Sequence, residues 1–458
     1  MGTFPTSPST VSPNLEQTET TGRFLVLLDE TGSKEGLNIL QKSAGLRIAS
    51  TADSATGVLD IEHISPTDAV LFDKLGIALV TVAPDQYQSL AATAASEKTP
   101  ILSIEPERVV YAIQEGAVRR AAVQPAPAAA SAPATITTEY LQGYRDAVDR
   151  LVDSLVTSGR MPAPITEEEF EAEAQAQVTW GLHRTRVPRS RFSGRGIRVA
   201  VLDTGLDLRH PDFAGRSIVS QSFVTGQAVQ DGHGHGTHVI GTACGPLQPS
   251  LLPRYGVAYN CDIFAGKVLS NQGSGSDGGI LAGINWAITN KCSVISMSLG
   301  ARVFPGQAFS PIFENAARRA LNLGTLIIAA AGNDSDRRIG SFWPVSHPAN
   351  CPSILAVGAV DIRLQMAYFS NRGLDPNGGQ VDIAGPGVNV HSSWPMPTSY
   401  RSISGTSMAT PHVAGIAALI AESNTNARGL NLWTRLQQLA RRLPLSSADV
   451  GAGLVLAP

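Results

Sequence analysis

The 458-residue sequence predicts an α/β protein, in which a doubly wound, mostly parallel sheet follows a small α+β domain of ferredoxin-like outline. The large sheet is predicted because short apolar strands alternate with helical segments from about residue 176. Those strands are apolar throughout, as in a parallel sheet covered on both faces. The small domain is predicted because residues 23–114 follow the order strand, helix, strand, strand, helix, strand. Two folded regions of different class are therefore expected.

Residues 1–114 divide into an arm and the small domain. The Thr-, Ser- and Pro-rich residues 1–22 are expected to be disordered. A first helix is predicted to end at Gly45, and a second to run from Pro84 to Ala94, with proline in its first turn. The predicted strands are 24–28, 46–50, 78–82 and 101–113.

Residues 115–175 are predicted to follow as an Ala/Pro linker and helical connector. Proline spacing disfavours a stable helix at first, whereas apolar residues at helical spacing run from Tyr140 to Leu155. The large sheet is expected within residues 176–458. Its predicted strands are 197–202, 263–268, 294–297, 326–330 and 354–360, and its clearest helical segments are 280–289 and 312–323.

Composition narrows the classes of function. Charged residues make up 16% of the chain and the net charge is −3, so a strongly basic nucleic-acid-binding surface is not expected. The sequence contains no apolar window of about 18 residues, so no membrane span is expected. Its first residues lack the pattern of a secretory signal peptide, which leaves a cytoplasmic location or export without a leader.

The four cysteines show no paired spacing typical of a structural zinc site. They are Cys244, Cys261, Cys292 and Cys351. Each is expected to be a small buried apolar residue, and one disulfide among them is left open.

Three short segments carry residues suited to nucleophilic catalysis. Asp203 ends an apolar strand, where open α/β sheets place their sites. His235, in Gly-His-Gly-Thr-His, precedes a small-residue helix and can exchange a proton near neutral pH. Ser407, in Gly-Thr-Ser-Met-Ala-Thr-Pro, lies near the start of an apolar helix whose field favours negative charge, with Pro411 expected in the first turn. Taken singly, each is more typical of a turn, a structural hydrogen bond or a helix cap.

Together, in the order Asp, His, Ser, these segments resemble the subtilase family of serine endopeptidases (peptidase S8) over residues 176–458. The resemblance implies a subtilisin-like fold and hydrolysis of peptide bonds through an acyl-enzyme, with no cofactor required. It implies that Ser407 is the nucleophile, that His235 is the general base and that Asp203 orients the imidazole. Asn333, in Ala-Ala-Ala-Gly-Asn, resembles the residue whose amide donates to the oxyanion.

The resemblance also implies that a protein or peptide substrate binds extended along exposed strand edges. Ser346 matches the base of the primary specificity pocket, where a small residue leaves room for large apolar side chains. Asp277 stands where many relatives carry an aromatic residue. We interpret it as a solvated loop acid or as a source of preference for basic residues upstream. The segments that resemble the flanking edges are Gly273-Ser274-Gly275 and Ser298-Leu299-Gly300.

Residues 23–114 resemble the inhibitor-I9-like propeptide that precedes many subtilases. The resemblance implies a zymogen whose own N-terminal domain assists folding and inhibits the enzyme until it is cleaved. Because residues 115–173 intervene before the peptidase region, self-processing is expected within about 157–180. Asp212 matches one acidic ligand of the family's calcium site. Its companion loop contains no Asn or Asp, so calcium binding is left open.

Two other classes of function compete with the peptidase. His233, His235 and His238 suit a zinc metallohydrolase, but that hypothesis lacks an acidic residue before the last histidine and makes no use of Ser407. The second alternative is a non-catalytic peptide-binding module on the same fold. Labelling of Ser407 by a fluorophosphonate, with no inhibition by a chelator, distinguishes the peptidase from both.

Overall fold

The computed structural model describes residues 19–29, 33–54, 58–59, 68–94, 96, 99–113, 177–375 and 378–458. The predicted connector, residues 115–175, lies outside the described residues, as do residues 1–18 of the predicted arm. Residues 20–22, expected to end that arm, belong to the first strand.

The N-terminal domain is an α+β fold around a largely antiparallel sheet. Its elements are β1 Thr20–Leu28, α1 Ser33–Ala44, β2 Arg47–Ser50, β3 Asp68–Phe72, β4 Ile77–Val80, α2 Pro84–Ala94 and β5 Ile101–Ala112. β1 lies between β4 and β5 and pairs antiparallel with both, and β4 pairs antiparallel with β3. Val26 of β1 shares a small core with Leu40 of α1 and Leu90 of α2.

The sequence does not predict one strand of this domain, β3. The strand predicted at residues 46–50 is confirmed as β2. In the structure β2 is an outer edge strand that pairs parallel to β3, and β3 pairs with β4. The short apolar run of β3 gives no alternating signal. Its burial comes from tertiary packing, since Val70 and Phe72 share a core with the larger domain.

The larger domain contains a seven-stranded parallel sheet. Its strands are β6 Arg198–Asp203, β7 Ile218–Ser222, β8 Asp262–Lys267, β10 Val294–Met297, β12 Leu326–Ala330, β13 Leu355–Val360 and β14 Ile383–Pro386. They lie in the order β14-β13-β12-β10-β6-β8-β7, and every neighbouring pair is parallel. The five predicted strands are confirmed to within a residue at each end, and β7 and β14 are additional.

Four short strands lie outside this sheet. They are β9 Ser274–Ser276, β11 Leu299–Gly300, β15 Val390–Ser393 and β16 Tyr400–Ile403. β15 and β16 form a two-stranded antiparallel ribbon, whereas β9 and β11 each pair with β5 of the N-terminal domain.

Helices cover both faces of the parallel sheet, as predicted. They are α3 Trp180–Arg184, α4 His235–Cys244, α5 Asp277–Thr289, α6 Pro311–Asn322, α7 Thr406–Ser423, α8 Leu430–Leu439 and α9 Ser447–Val450. Alternation along β6 separates the faces. Ala200 and Leu202 share a core with α5 and α6, whereas Val199 and Val201 share one with α4 and α7.

The strand order reverses around β6, because β8 and β7 lie on one side of it and the other strands lie on the opposite side. The carboxyl ends of parallel strands meet at one edge, and a crevice forms where the order reverses. Asp203 ends β6, Ser298 directly follows β10, and Asn333 lies just after β12. The sheet therefore gathers three of the predicted site residues at one edge.

The N-terminal domain packs against α5 and α6 of the larger domain. Leu25 and Leu79 share a core with Ile280 of α5 and Phe313 of α6. Asn285 of α5 accepts a hydrogen bond from Lys74 N at 3.0 Å, which adds a polar contact to the apolar surface.

Two carboxylates of β5 cap the same two helices. Glu107 accepts a hydrogen bond from Gly278 N at 2.9 Å, at the start of α5. Glu105 accepts hydrogen bonds from Ile312 N at 3.2 Å and from the Ser310 hydroxyl at 2.7 Å, at the start of α6. Helix N-termini leave N–H groups unpaired and favour negative charge, so β5 is anchored at two points.

All four cysteines are buried with free thiols, which confirms their predicted burial and leaves no disulfide among them. No helix in the described ranges is both long and apolar enough to cross a membrane.

Candidate active site

Asp203 and His235 form a buried hydrogen-bonded pair at the carboxyl edge of the parallel sheet. His235 Nδ1 lies 2.8 Å from Asp203 Oδ1, and both side chains are fully buried. Thr204 N also donates to Asp203 Oδ1, at 2.7 Å, and so helps to fix the carboxylate. His235 Nε2 makes no hydrogen bond of good geometry with the described residues. That nitrogen is available to exchange a proton.

The local chain conformation places His235 at the start of α4. Gly234 precedes it with a φ of 104°, in the left-handed region that favours glycine. A Cβ at this position would also lie 2.4 Å from the Trp394 ring. Backbone conformation and lack of space both require glycine here, which explains the residue before the histidine.

Asp231 is a supporting residue that the sequence analysis missed. Its buried carboxylate accepts hydrogen bonds from the backbone N–H groups of His233, Gly234 and Thr237 at 2.9, 2.8 and 2.8 Å. The Thr204 hydroxyl donates to it at 2.9 Å. Its only sequence signal is its place directly before a glycine- and histidine-rich segment. It holds the loop that carries His235.

The surroundings of His235 raise its pKa. Burial on its own lowers the pKa, but the negative charge of Asp203 and the hydrogen bond to it outweigh burial. Asp231 and the backbone of Ile113 act in the same direction as Asp203. The environment therefore stabilises the imidazolium that forms when a general base accepts a proton.

Ser407 is the second residue of α7 and is fully buried. Its hydroxyl donates to the Ser298 carbonyl at 3.1 Å, while the Ser298 hydroxyl donates to the Ser407 carbonyl at 2.8 Å. This reciprocal pair joins the end of β10 to the start of α7. Among the described residues Ser407 Oγ therefore donates to Ser298 and not to His235.

The prediction that Pro411 lies in the first turn of α7 is wrong, because Pro411 is the sixth residue of that helix. A residue with an N–H at this position would donate to the Ser407 carbonyl, four residues earlier. Proline has no N–H to donate, and the Ser298 hydroxyl donates to that carbonyl instead. The interior proline is thus compensated by a side chain from the sheet edge.

Asn333 presents an unused amide donor beside Ser407. Its Oδ1 accepts hydrogen bonds from Thr406 N at 2.9 Å and from the Thr406 hydroxyl at 2.8 Å. Its Nδ2 is buried and has no partner in the described part of the chain. A Cβ added at Gly405 would lie 3.0 Å from this Nδ2 and 3.3 Å from the Ile113 carbonyl oxygen. The amide and that carbonyl therefore adjoin the same glycine.

Residues 109–113 occupy the groove between β9 and β11. Val109, Val110 and Tyr111 pair antiparallel with β9, and Tyr111 and Ala112 pair antiparallel with β11. Ala112 N donates to the Gly273 carbonyl at 2.9 Å, and Ile113 N donates to the Ser298 carbonyl at 3.3 Å. All six predicted edge residues contact this segment: Gly273, Ser274, Gly275, Ser298, Leu299 and Gly300.

Ser346 lies against the loop that carries Asn333. Its hydroxyl lies 3.2 Å from Asp334 Oδ2 and accepts a hydrogen bond from Asn371 Nδ2 at 3.3 Å. A Cβ added at Gly332 would lie 2.2 Å from this hydroxyl. The Ser346 side chain is buried and held by polar neighbours.

The interpretation of Asp277 as a solvated loop acid is wrong. Its carboxylate is fully buried and contacts His347 Nε2 at 3.0 Å and the Arg108 guanidinium at 3.2 Å. The sequence could not indicate this burial, because Arg108 comes from a distant segment of the chain.

The three histidines of the metallohydrolase hypothesis do not converge. His238 Nε2 faces the carbonyls of Val390 and Arg401 at 3.0 and 3.2 Å, and burial lowers the pKa of His238 to about 3. His235 is committed to Asp203, and its ring centre lies 6.3 Å from that of His233. Among the residues the structure describes, no three His, Cys, Asp or Glu side chains are grouped to hold a metal ion.

Asp212 does not fit the calcium site that the sequence left open. Its Oδ1 accepts a hydrogen bond from Ser250 N at 2.7 Å, and its Oδ2 accepts from the Tyr255 and Tyr400 hydroxyls at 2.6 and 3.0 Å. These donors take up the carboxylate, whereas calcium requires six to eight oxygen ligands that are free to coordinate. Burial raises the pKa of Asp212, but the hydrogen bonds, led by that of Tyr255, outweigh it and lower the pKa. Burial and Asp212 raise the pKa of Tyr400 to about 12.

Comparison with known proteins shows which family the chain resembles. Residues 194–453 match the Subtilase family, Peptidase_S8. An alkaline protease of Alkalihalobacillus alcalophilus is 41% identical over 294 residues, which cover 63% of this chain and 71% of the relative. Subtilisin Savinase of Lederbergia lenta is 40% identical over 282 residues, covering 61% and 96%. Subtilisin E of Bacillus subtilis (strain 168) is 38% identical over 298 residues, covering 64% and 74%.

The family match spans more than half of the chain and includes Asp203, His235, Asn333 and Ser407. Subtilases need no organic cofactor. The chain therefore belongs to the subtilase family of serine endopeptidases.

Proposed function

We propose that the chain cleaves peptide bonds through Asp203, His235 and Ser407, and that residues 19–113 inhibit it until they are cut off. The observation that carries this proposal is the segment 109–113, which pairs with both edges of the groove. It ends beside His235 and Ser407, as a bound peptide would. The domain boundaries that follow are an inhibitory region up to Ile113 and a peptidase region from about residue 176.

In the proposed reaction, Ser407 Oγ rotates away from Ser298 and attacks the scissile carbonyl carbon while its proton passes to His235 Nε2. Asp203 holds the imidazole by its hydrogen bond to Nδ1 and stabilises the imidazolium. The oxyanion accepts hydrogen bonds from Asn333 Nδ2 and Ser407 N. His235 then protonates the leaving amine as the carbon–nitrogen bond breaks. Water, deprotonated by His235, hydrolyses the acyl-enzyme.

The site residues at the groove take corresponding roles in the proposal. The carbonyls of Gly273 and Ser298 bind the backbone of an extended substrate, as they bind Ala112 and Ile113. Gly300 faces the side chain that precedes the cleaved bond, since a Cβ at Gly300 would lie 3.0 Å from Ile113 Cδ1. Ser346 contributes to the wall of the pocket on the Asn333 side.

The geometry favours self-processing at a different position from the one that the sequence suggests. The carbonyl of Ile113 adjoins Gly405 and helps to raise the pKa of His235, so the Ile113–Gln114 bond is the proposed cleavage site. The expected window of about 157–180 lies partly outside the described residues. Residues 177–180 do not enter the groove, which residues 109–113 fill.

Mass spectrometry of the purified full chain tests this function. The wild type is expected to yield a product that begins at Gln114, and its Ser407 is expected to react with a fluorophosphonate. Ser407→Ala is expected to stay intact, while Ser402→Ala, a change of an exposed serine on β16, is processed like the wild type. Trimming of purified Ser407→Ala to the same product would contradict self-processing, and a new terminus within 157–180 would contradict the site.

A further inference from the structure

Asp277 is a buried carboxylate at the end of the groove farthest from Ser407. It is 0% exposed and begins α5, directly after the edge strand β9. Its Oδ1 contacts His347 Nε2 at 3.0 Å, and the His347 ring packs edge-on against Phe313 with ring centres 4.6 Å apart. These contacts, all within the peptidase domain, fix one oxygen and leave Oδ2 facing the groove.

Arg108 of the bound segment fills the position opposite this oxygen. Both its backbone N and its guanidinium NH1 lie 3.2 Å from Asp277 Oδ2. Its NH2 also contacts Glu105 at 3.1 Å, and the residue is only 8% exposed. The charges of Asp277 and Glu105 outweigh burial and raise the pKa of Arg108. The site therefore holds a fully charged guanidinium with little contact to water.

The position of Arg108 on β5 fixes how many residues separate it from the proposed cleavage site. Counting back from Ile113, whose carbonyl adjoins Gly405, Arg108 is the sixth residue. Side chains two residues apart share a face of an extended chain, so Arg108 lies on the same face as Val110 and Ala112. Val110 is fully buried, in the core shared with α5. A substrate strand in the same register would present its sixth side chain to Asp277.

We propose that Asp277 forms an acidic subsite that selects an arginine at the sixth residue before the cleaved bond. The inference rests on the proposed function, because it takes residues 108–113 as a stand-in for substrate. When this segment leaves, Arg108 and Glu105 leave with it, whereas Asp277 and His347 stay with the peptidase domain. A new peptide with arginine at that position restores the charge pair, whereas one without it offers Asp277 Oδ2 only its backbone N–H.

Matched peptides test the subsite with the full chain after self-processing. The substrates are a peptide of residues 107–117 and the same peptide with citrulline, an uncharged isostere, in place of Arg108. We expect kcat/KM for cleavage after Ile113 to be about 10-fold higher with arginine, the scale of one charge-assisted hydrogen bond. In Asp277→Asn the ratio should fall to about one. The ratio is taken within each enzyme, so a change in overall activity cancels.

Two results, one with the wild type and one with Asp277→Asn, would contradict the proposed subsite. Equal rates for the two peptides with the wild type would overturn the subsite while leaving the proposed function intact. A ratio that stays near 10 in Asp277→Asn would assign the preference to another group. If that variant cleaves neither peptide, the wild-type ratio decides, since citrulline removes the charge of arginine and keeps its shape. Failure of the wild type to cut either peptide would overturn the proposed function and this inference together.

Discussion

Two buried aspartate–histidine pairs lie along the same groove. They differ in which of the two side chains has a polar atom that the pair itself does not use. In the first, Asp203 contacts His235 at 2.8 Å, and in the second Asp277 contacts His347 at 3.0 Å. Among the described residues His235 Nε2 has no hydrogen-bond partner, whereas the His347 ring packs against Phe313. Asp277 instead turns its free oxygen toward Arg108. We infer that the first pair serves proton transfer and the second recognition, according to which partner points outward.

Replacing each aspartate by asparagine should give the largest difference in activity between the two pairs. Asp203→Asn is expected to lower kcat about 10⁴-fold, the loss typical when the orienting carboxylate of such a triad is removed. Asp277→Asn is the matched control, with an expected loss of about 10-fold in kcat/KM that is confined to substrates with arginine at the sixth position. Steady-state kinetics on the arginine and citrulline peptides measure both losses. Losses of similar size would show that the pairs do not have different roles.

The Asn333 amide allows a second test of the proposed catalytic site. Asn333→Ala is expected to lower kcat about 10²–10³-fold with little change in KM, because its donor is used when the oxyanion forms. The control is Thr406→Val, which removes one hydrogen bond to Asn333 Oδ1 but leaves Nδ2 in place, so its kcat should fall less. An effect of Asn333→Ala on KM alone would contradict the oxyanion role.

The pH dependence of kcat/KM tests the charge environment of His235. The neutral imidazole is the active base, so activity falls as the pH drops through the pKa of His235. Because Asp203 raises that pKa against the effect of burial, the midpoint of the acid limb is expected above the ordinary value of about 6.5. In Asp203→Asn the limb of the residual activity should move to lower pH. A wild-type midpoint below 6.5 would contradict this account.

The smallest expected effect concerns Asp212, which belongs to neither aspartate–histidine pair. Tyr255→Phe should lower the free energy of unfolding by about 1.5–3 kcal/mol at neutral pH, since it removes a hydrogen bond to a charged group. Folding lowers the pKa of Asp212, so the difference should persist above its unfolded pKa and shrink as the pH falls through the folded value. Denaturant titration measures it. Tyr259→Phe is the control, because no hydrogen bond of the Tyr259 hydroxyl is found within the described residues.

Asp212→Asn tests whether calcium binding depends on Asp212. Because protein donors take up both carboxylate oxygens, a chelator is expected to have the same effect on the Tm of the wild type and of this variant. A chelator-induced fall in Tm that disappears in Asp212→Asn would show that the carboxylate holds a cation after all.

The sequence alone determined the parallel sheet and the candidate catalytic residues. Apolar strands of the larger domain carry their own signal, so β10 and β12 are predicted to the residue. Asp203, His235 and Ser407 were found because each lies in a short motif whose order along the chain is informative. Local patterns suffice when the signal and the structure it specifies lie within a few residues of each other.

Only the tertiary structure decided what occupies the groove and how its acids are paired. Arg108 and Asp277 are 169 residues apart, and the two tyrosines that bind Asp212 are 43 and 188 residues from it. No local pattern encodes such contacts, because they arise when separate elements pack and bury polar groups that must then find partners. The position of Ile113 beside Ser407 has the same origin, since the docking of the N-terminal domain on α5 and α6 sets where its last strand ends.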